Sequence, residues 1–382
     1  MLAIGLIAIG SLTIAACGSD DSGNSGGSGS GSDSSSAQAK AKEAIAKAQE
    51  VPAFTLDAPK IDLSKIKGKT IFNIPLSSAI PFEVEISERM KEIATDQGLK
   101  WIEYPNQGTP TEWASGISQA IQQKVDLIIL SQGIDPKQVI PQLKAAKSAG
   151  IPVLVTHTYQ EGQQTPAAVA DLIAANANAP FEEAGRLQSE YAIAQDGCDI
   201  KPVIVNAPDI VPSEYVQKGL LAGISDLCPD VEPKVIDVNV TEWATKIQPE
   251  VQSALTQDPD INWVLTHYDS MTIPATAGIR AAGKTGQVGV TGFNGTTEVL
   301  KMVQDGTITA DVGESTSWLA YASIDQGFRV LGAGPVIEDG NVGTPLRLFD
   351  SSNIDEAGNP PKPGEGYGDA YVEGYEKLWG LR

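Results

Sequence analysis

The chain has 382 residues and a formal net charge of −21, with 41% hydrophobic and 6% aromatic residues. That length accommodates two domains with separate cores. The acidic surplus argues against nucleic acid as a partner and against a polybasic hold on anionic lipid.

The first stretch, MLAIGLIAIGSLTIAAC (residues 1–17), is a short apolar run ending in small residues and Cys17. It falls short of the roughly 20 residues a membrane span needs, and it reads as the apolar core of a secretory signal. Ile14-Ala15-Ala16-Cys17 resembles the bacterial lipobox, in which the cysteine is lipidated and becomes the new N-terminus. No Lys or Arg precedes the run, which an upstream start codon would explain. Residues 18–50 comprise a tether of Gly, Ser, Asp and Asn to about Ser36, too polar to bury a core, and then the helix-prone piece AQAKAKEAIAKAQEV. Export permits disulfides. Cys198 precedes the apolar run KPVIVN, and Cys228 follows the helix-like run SEYVQKGLLAGISDL. A strand's start and the following helix's end lie at one edge of a βα unit, so a Cys198–Cys228 bridge is expected.

From Lys69 onward, short apolar runs alternate with helix-length segments: TIFNIPL, VDLIIL, IPVLVT, PVIVN, NWVLT and VGVTGF. Several are apolar throughout, as strands buried on both faces must be. Alternating β and α over this length predicts an α/β fold with parallel sheets and right-handed crossovers. After IPVLVTHTY the pattern breaks into a polar stretch, passes through AVADLIAANANAPFEEAGRL and restarts, which predicts two doubly wound lobes. An internal echo supports them: Thr111-Glu112-Trp113-Ala114 and Thr241-Glu242-Trp243-Ala244 each open a helix leading into an apolar strand, with Thr as the expected N-cap.

Ligands of open α/β sheets collect beyond the carboxyl ends of the strands, and two facing lobes would share that cleft. The positions just after strands and at helix starts hold Ser77, Ser78, Phe82, Trp113, Gln132, His157, Trp243, His267, Tyr268, Asp269, Asn294 and Glu314. Trp318 lies soon after a strand, near an expected crossover. Aromatic faces there can stack on a sugar ring or another flat apolar ligand face.

The stretch GIRAAGKT, Gly278 to Thr285, matches the phosphate-loop pattern G-x-x-x-x-G-K-[ST], which works only between a strand and a helix start. Here a helix-like segment precedes it and a strand follows, so Gly283 reads as a helix-ending glycine. The only histidines are His157 and His267; no G-x-S-x-G elbow and no metal-ligand spacing accompanies them. No catalytic residue, metal or cofactor is therefore expected.

Taken together, GKTIFNIPLSSAIPFEVEI, VDLIILSQGIDPKQVIPQLKAAKSAGIPVLVT, NWVLTHYDSMTIPATAGIRAAGK, VGVTGFNGTTEVLKMVQDGTITADV and WLAYASIDQGFRVLGAG resemble the periplasmic-binding-protein type 1 superfamily, the sugar-type receptors of ABC importers. The resemblance implies two lobes joined by three hinge crossovers near Asn176, Glu314 and Thr344, closing on a small molecule. It divides the chain into a first lobe of residues 69–176 plus 315–344 and a second of 177–314 plus 345–382. It implies a monomeric, non-catalytic receptor, lipid-anchored to the outer face of the cytoplasmic membrane and partnered by a membrane permease.

By position in the family pattern, the first-loop aromatic is Phe82 and the usual Asp-Arg pair becomes His157-Thr158. The second-lobe arginine falls near Glu214, the Asn-Asp pair becomes Tyr268-Asp269, the Asp of GFDGT becomes Asn294, and the crossover glutamine becomes Glu314. These departures remove the bidentate grips on sugar hydroxyls. With no Arg in the expected cleft, a neutral polyol or modified sugar is the first expectation and a cationic or aromatic small molecule the competitor. Two other classes remain: a sensory receptor presenting a bound signal to a membrane kinase, and a hydrolase acting in the same cleft.

Overall fold

The computed structural model describes residues 30–382, with side chains from residue 34 onward. The lipobox with Cys17 and the start of the polar tether lie outside the described residues. Helix α1 (Ser30–Ala48) opens the described chain.

The first sheet contains β1 (Thr70–Ile74), β2 (Lys100–Glu103), β3 (Leu127–Ser131), β4 (Val153–Gln160) and β5 (Ala175–Ala179), in the order β2-β1-β3-β4-β5. Every pairing in it is parallel. Between its first four strands run α2 (Pro81–Asp96), α3 (Pro110–Gln123) and α4 (Ile140–Ser148). The second half repeats this plan. Helices α5 (Phe181–Asp196), α6 (Val211–Leu227), α7 (Trp243–Gln257), α8 (Asp269–Ala281) and α9 (Thr297–Gln304) alternate with β6 (Pro202–Asn206), β7 (Lys234–Asp237), β8 (Trp263–Thr266), β9 (Gly289–Asn294) and β10 (Ala310–Glu314). Then come α10 (Thr316–Phe328), β11 (Leu346–Asp350) and α11 (Ala370–Leu378). The second sheet has the order β11-β10-β9-β8-β6-β7, parallel except for β11. Without β11, β7-β6-β8-β9-β10 has the same topology as β2-β1-β3-β4-β5. The TEWA echo therefore falls on equivalent helices, α3 and α7.

The interior strands β1, β3 and β8 are buried along almost their whole length, which is why their sequences are apolar throughout. The edge strands β2 and β7 are largely exposed and carry charged residues, so no apolar run marks them. Helices α5 and α6 cross in backbone contact: a Cβ on Gly185 would lie 2.1 Å from the Val216 carbonyl, and one on Gly219 would lie 1.9 Å from that of Glu182. Cys198 and Cys228 form a disulfide with Cα atoms 5.3 Å apart, joining the start of β6 to the end of α6.

Four sequence expectations need correction. Strand β5 continues to Ala179 within the first sheet, beyond the expected crossover at Asn176. The C-terminal stretch divides between the lobes: β11 joins the second sheet, while α11 packs on α10, where Trp379 donates its indole N–H to Asp325 at 2.8 Å and stacks on Tyr321. The N-terminal helix is longer than the piece from Ala37 and docks on α5, burying Ala37, Ala41 and Ile45. The chain then crosses to the first lobe, where Ile61 N–H reaches Leu378 O at 2.8 Å and Asp62 N–H reaches Ala333 O at 2.9 Å. Finally, neither Thr111 nor Thr241 caps its helix: α3 is capped by Thr109, and α7 follows a short 3₁₀ turn over Val240–Glu242.

GIRAAGKT ends α8. Gly283 has φ 72°, its N–H bonds to Arg280 O, and Lys284 N–H returns to Ile279 O.

Candidate ligand-binding site

The carboxyl ends of the two sheets face each other across a narrow cleft with a cavity volume of about 30 Å³. The first lobe lines it with Leu76, Ile80, Phe82, Glu83, Gln132 and His157, the second with Ile210, Pro212, Trp243, Tyr268, Ser270 and Asn294. Local sequence explains the placement. Ile80 is the N-cap residue of α2 with Pro81 next; Ile210 is the N-cap residue of α6 with Pro212 in its first turn. These equivalent helix starts each project an isoleucine into the cleft.

Backbone strain gathers at the same place. Among the described residues, the non-glycine residues with positive φ are Lys124, Gln132, His157 and Asn294, at 53°, 52°, 51° and 142°. Three of these line the cleft. Such conformations cost about 1–3 kcal/mol each and persist where surrounding packing holds a side chain in a required direction. His157 sits where the pairing of β4 with β5 loses register between Thr156 and Gln160.

An aromatic belt crosses from lobe to lobe. Phe82 meets His157 at 5.3 Å, His157 meets Phe181 edge-on at 4.6 Å, and Phe181 meets Phe293 at 6.3 Å. Tyr268 continues it, 6.3 Å from Phe293 and 6.1 Å from Trp243. Polar contacts also tie the lobes together. His157 Nε2 lies 2.7 Å from Glu314 Oε2, both buried, and Glu85 Oε1 accepts from Thr297 Oγ1 at 2.7 Å. The Tyr268 hydroxyl is 3.0 Å from Ser213 Oγ, and burial raises its pKa. Burial also pushes the Glu83 carboxyl well above its ordinary value; the Leu76 N–H opposes this and the nearby Glu103 adds to it. Three buried cleft atoms have no hydrogen-bond partner: Glu83 Oε2, Gln132 Oε1 and Asn294 Nδ2.

Of the residues singled out by sequence, Phe82, Gln132, His157, Trp243, Tyr268 and Asn294 lie on the cleft. The others are elsewhere. Ser77 Oγ accepts from Ala79 N–H at 3.3 Å, and Ser78 Oγ from Asn106 N–H at 3.1 Å, so both shape the loop after β1. Trp113 stands behind that loop, donating its indole N–H to Leu76 O at 2.9 Å. Glu214 is exposed to solvent; its neighbour Ser213 reaches Tyr268 instead. Asp269 is buried, its Oδ2 accepting from Thr296 N–H at 2.7 Å and Oγ1 at 2.6 Å. Glu314 supports His157 from behind the lining. Trp318 is fully buried and stacks on Tyr371 at 4.7 Å. His267 is also buried, bonded to Gln217 at 2.7 Å, with burial depressing its pKa to about 3.

The lining residues that sequence reading missed are Leu76, Ile80, Glu83, Ile210, Pro212 and Ser270. The paired signals Ile80-Pro81 and Ile210-Val211-Pro212 could have located four cleft positions at two equivalent helix starts, as Glu83 follows Phe82 in the first. Among the described residues, no group of three or more His, Cys, Asp or Glu side chains is arranged to hold a metal ion. Nor is any described helix long and apolar enough to cross a membrane.

Comparison with known proteins agrees with this architecture. The D-ribose/D-allose-binding protein of Pseudomonas aeruginosa is 27% identical over 240 residues, covering 61% of this chain and 72% of that protein. The ribose import binding protein of Bacillus subtilis is 22% identical over 286 residues, 74% of this chain and 88% of its own length. An ABC transporter solute-binding protein from Agrobacterium vitis, solved with alpha-D-tagatopyranose, superposes with a TM-score of 0.66 at 18% identity, covering 75% of this chain and 96% of that one. The family profile described as a periplasmic binding protein domain matches residues 71–335, well over half the sequence, and this chain belongs to that family.

Proposed function

We propose that this chain is the extracytoplasmic receptor of a bacterial ABC importer that closes on a small polyhydroxylated ligand, a sugar or polyol. The observation that carries the reading is the cleft lining: an aromatic belt for the apolar face of a ring, side-chain amides for hydroxyls, and no Lys or Arg for an anion. The family supports a receptor role, and the named relatives are ribose- and allose-binding proteins. Lipidation at Cys17 would hold the protein at the outer face of the membrane, and the polar tether would let a monomer reach its permease. Nothing in this role requires catalysis.

The test is a thermal-shift screen of residues 18–382 against sugars, polyols, amines and aromatic acids. A sugar or polyol at a hundredfold excess over its dissociation constant adds about 2.7 kcal/mol of stability and a clear rise in melting temperature. A screen in which every polyhydroxylated compound is silent while an aromatic acid shifts the melt would sink the assignment.

A further inference from the structure

Glu83 carries an inference that deepens the proposed function and rests on it. The residue is buried, only 3% exposed, in the first turn of α2. Oε2 has no partner among the described residues, and the side chain lines the cleft. It also borders a second groove, on the first lobe, formed with Glu88, Lys91, Trp101 and Glu103. No cation from the protein pairs with it in the cleft. A desolvated carboxylate held by a single backbone N–H, that of Leu76, with no cation beside it is costly to bury, and the same cleft is lined by Phe82, Trp243 and Tyr268, whose faces can hold cations.

We propose that Glu83 selects a ligand bearing a protonated amine, so that the bound molecule is an amino sugar or amino polyol rather than its all-hydroxyl counterpart. An ammonium group would donate to Oε2 and supply the charge that this part of the cleft lacks. A hydroxyl would meet the protonated carboxyl in an ordinary neutral hydrogen bond and gain no charge pairing. The remaining hydroxyls would meet Gln132 and Asn294, whose free amide atoms can serve one donor and one acceptor.

A pH dependence follows. The titratable groups around Glu83 are His157 on β4 and Tyr268, which share the cleft lining, and Glu103 on β2 with Glu88 and Lys91 on its own helix, which share the first-lobe groove. Glu103 is the neighbour that raises its pKa beyond the effect of burial. The empty site therefore favours the protonated carboxyl, and an ammonium favours the carboxylate. Binding releases a proton, and amine affinity rises with pH until Glu83 ionises in the free protein, by at most tenfold per unit.

The experiment is calorimetry with matched pairs: glucosamine with glucose, 1-amino-1-deoxyglucitol with glucitol, and an aminodeoxyinositol with myo-inositol. Each is titrated in two buffers of different ionisation enthalpy. The expected result is at least one amine bound about tenfold or more tighter than its hydroxyl partner, with proton release, and with both features lost in Glu83→Gln. Proton release is read on the unaltered protein, so the result stands even where the variant folds poorly. Neutral members binding as well as or better than the amines throughout would overturn this inference and leave the sugar-receptor reading intact. Silence from all three amines overturns it too, and silence from the neutral members as well would count against both readings.

Discussion

The two TEWA segments occupy equivalent helices in the two lobes, yet their tryptophans do different things. In the first lobe, Pro110 and the Thr109 cap start α3 early, so Trp113 is a full turn into the helix and turns behind the loop after β1. In the second lobe a 3₁₀ turn over Val240–Glu242 delays the helix, so Trp243 is its first residue and faces the cleft while donating to Val238 O at 3.1 Å. The residues match; the point at which the helix begins does not. A shift of a few residues in helix start rotates a side chain by 100° per residue, enough to exchange a buttress for a ligand-facing wall.

That contrast can be broken most forcefully at the tryptophans themselves. Both are at least nine-tenths buried, so Trp113→Ala and Trp243→Ala should each cost about 3–5 kcal/mol of stability. Their effects on binding should diverge. In the folded protein, Trp243→Ala should weaken the ligand found by screening at least tenfold, about 1.4 kcal/mol, while Trp113→Ala should change affinity by less than that. Chemical denaturation and calorimetry on the same preparations separate the two quantities. Equal losses of affinity would mean the loop at Leu76 matters as much as the wall at Trp243.

The same contrast shows how far the sequence could be read. Interior strands announce themselves because a strand covered on both faces must be apolar, as LIILS of β3 and WVLT of β8 are. Strands β5 and β10 read ANANA and ADVGE, without β-branched runs, and only tertiary burial makes them strands. For the site, topology alone located residues at or near the carboxyl ends of strands: Gln132 just after β3, Tyr268 two residues past β8, Asn294 closing β9, and His157 at the register break within β4. Residues within helices were harder, since their direction depends on rotation about the helix axis. Glu214 is two residues beyond Pro212 on α6 and points to solvent, whereas Pro212 faces the cleft. Glu83 was missed because a glutamate early in a helix ordinarily serves the helix dipole in water.

Strands β5 and β10 also set up a second test. Where the first lobe has Asn176, the corresponding strand of the second has Asp311, fully buried and facing Asp269. The two carboxyls converge on Gly292, where a Cβ would lie 2.9 Å from Asp269 Oδ1 and 3.0 Å from Asp311 Oδ1. Burial raises both, Asp269 to about 6, and the nearby charge of Asp269 adds to the burial that pushes Asp311 well above its ordinary value, which favours a proton on Asp311. For groups raised in the folded state, the stabilisation is complete below the unfolded value of 3.8 and is lost as pH rises through the folded value. The rise of Asp269 should therefore cost about 2 kcal/mol between pH 4 and pH 7. Asp311→Asn keeps a donor for Asp269 and removes the second charge, making the second lobe resemble the first. Its stability–pH curve should be flatter than that of the parent, with a higher melting temperature at pH 8 and little change at pH 4. A parallel pair of curves would show that the two carboxyls do not share a proton.

The smallest expected effect goes to the origin of the contrast. In α3 the Thr109 hydroxyl accepts from Glu112 N–H at 3.4 Å, while Glu112 Oε2 accepts from Thr109 N–H at 3.2 Å and from its hydroxyl at 2.7 Å. This reciprocal cap fixes where α3 begins. Helix α7 has no side-chain cap, and Thr241 is exposed in its leading turn. Thr109→Ala should thus cost about 1 kcal/mol, whereas Thr111→Ala and Thr241→Ala, at the matching positions of the two TEWA segments, should each fall within about 0.5 kcal/mol. Urea unfolding of the three variants reads the difference. A Thr241→Ala cost equal to that of Thr109→Ala would mean that both helices are started by a threonine side chain. The distinct places of Trp113 and Trp243 would then need a cause other than where their helices begin.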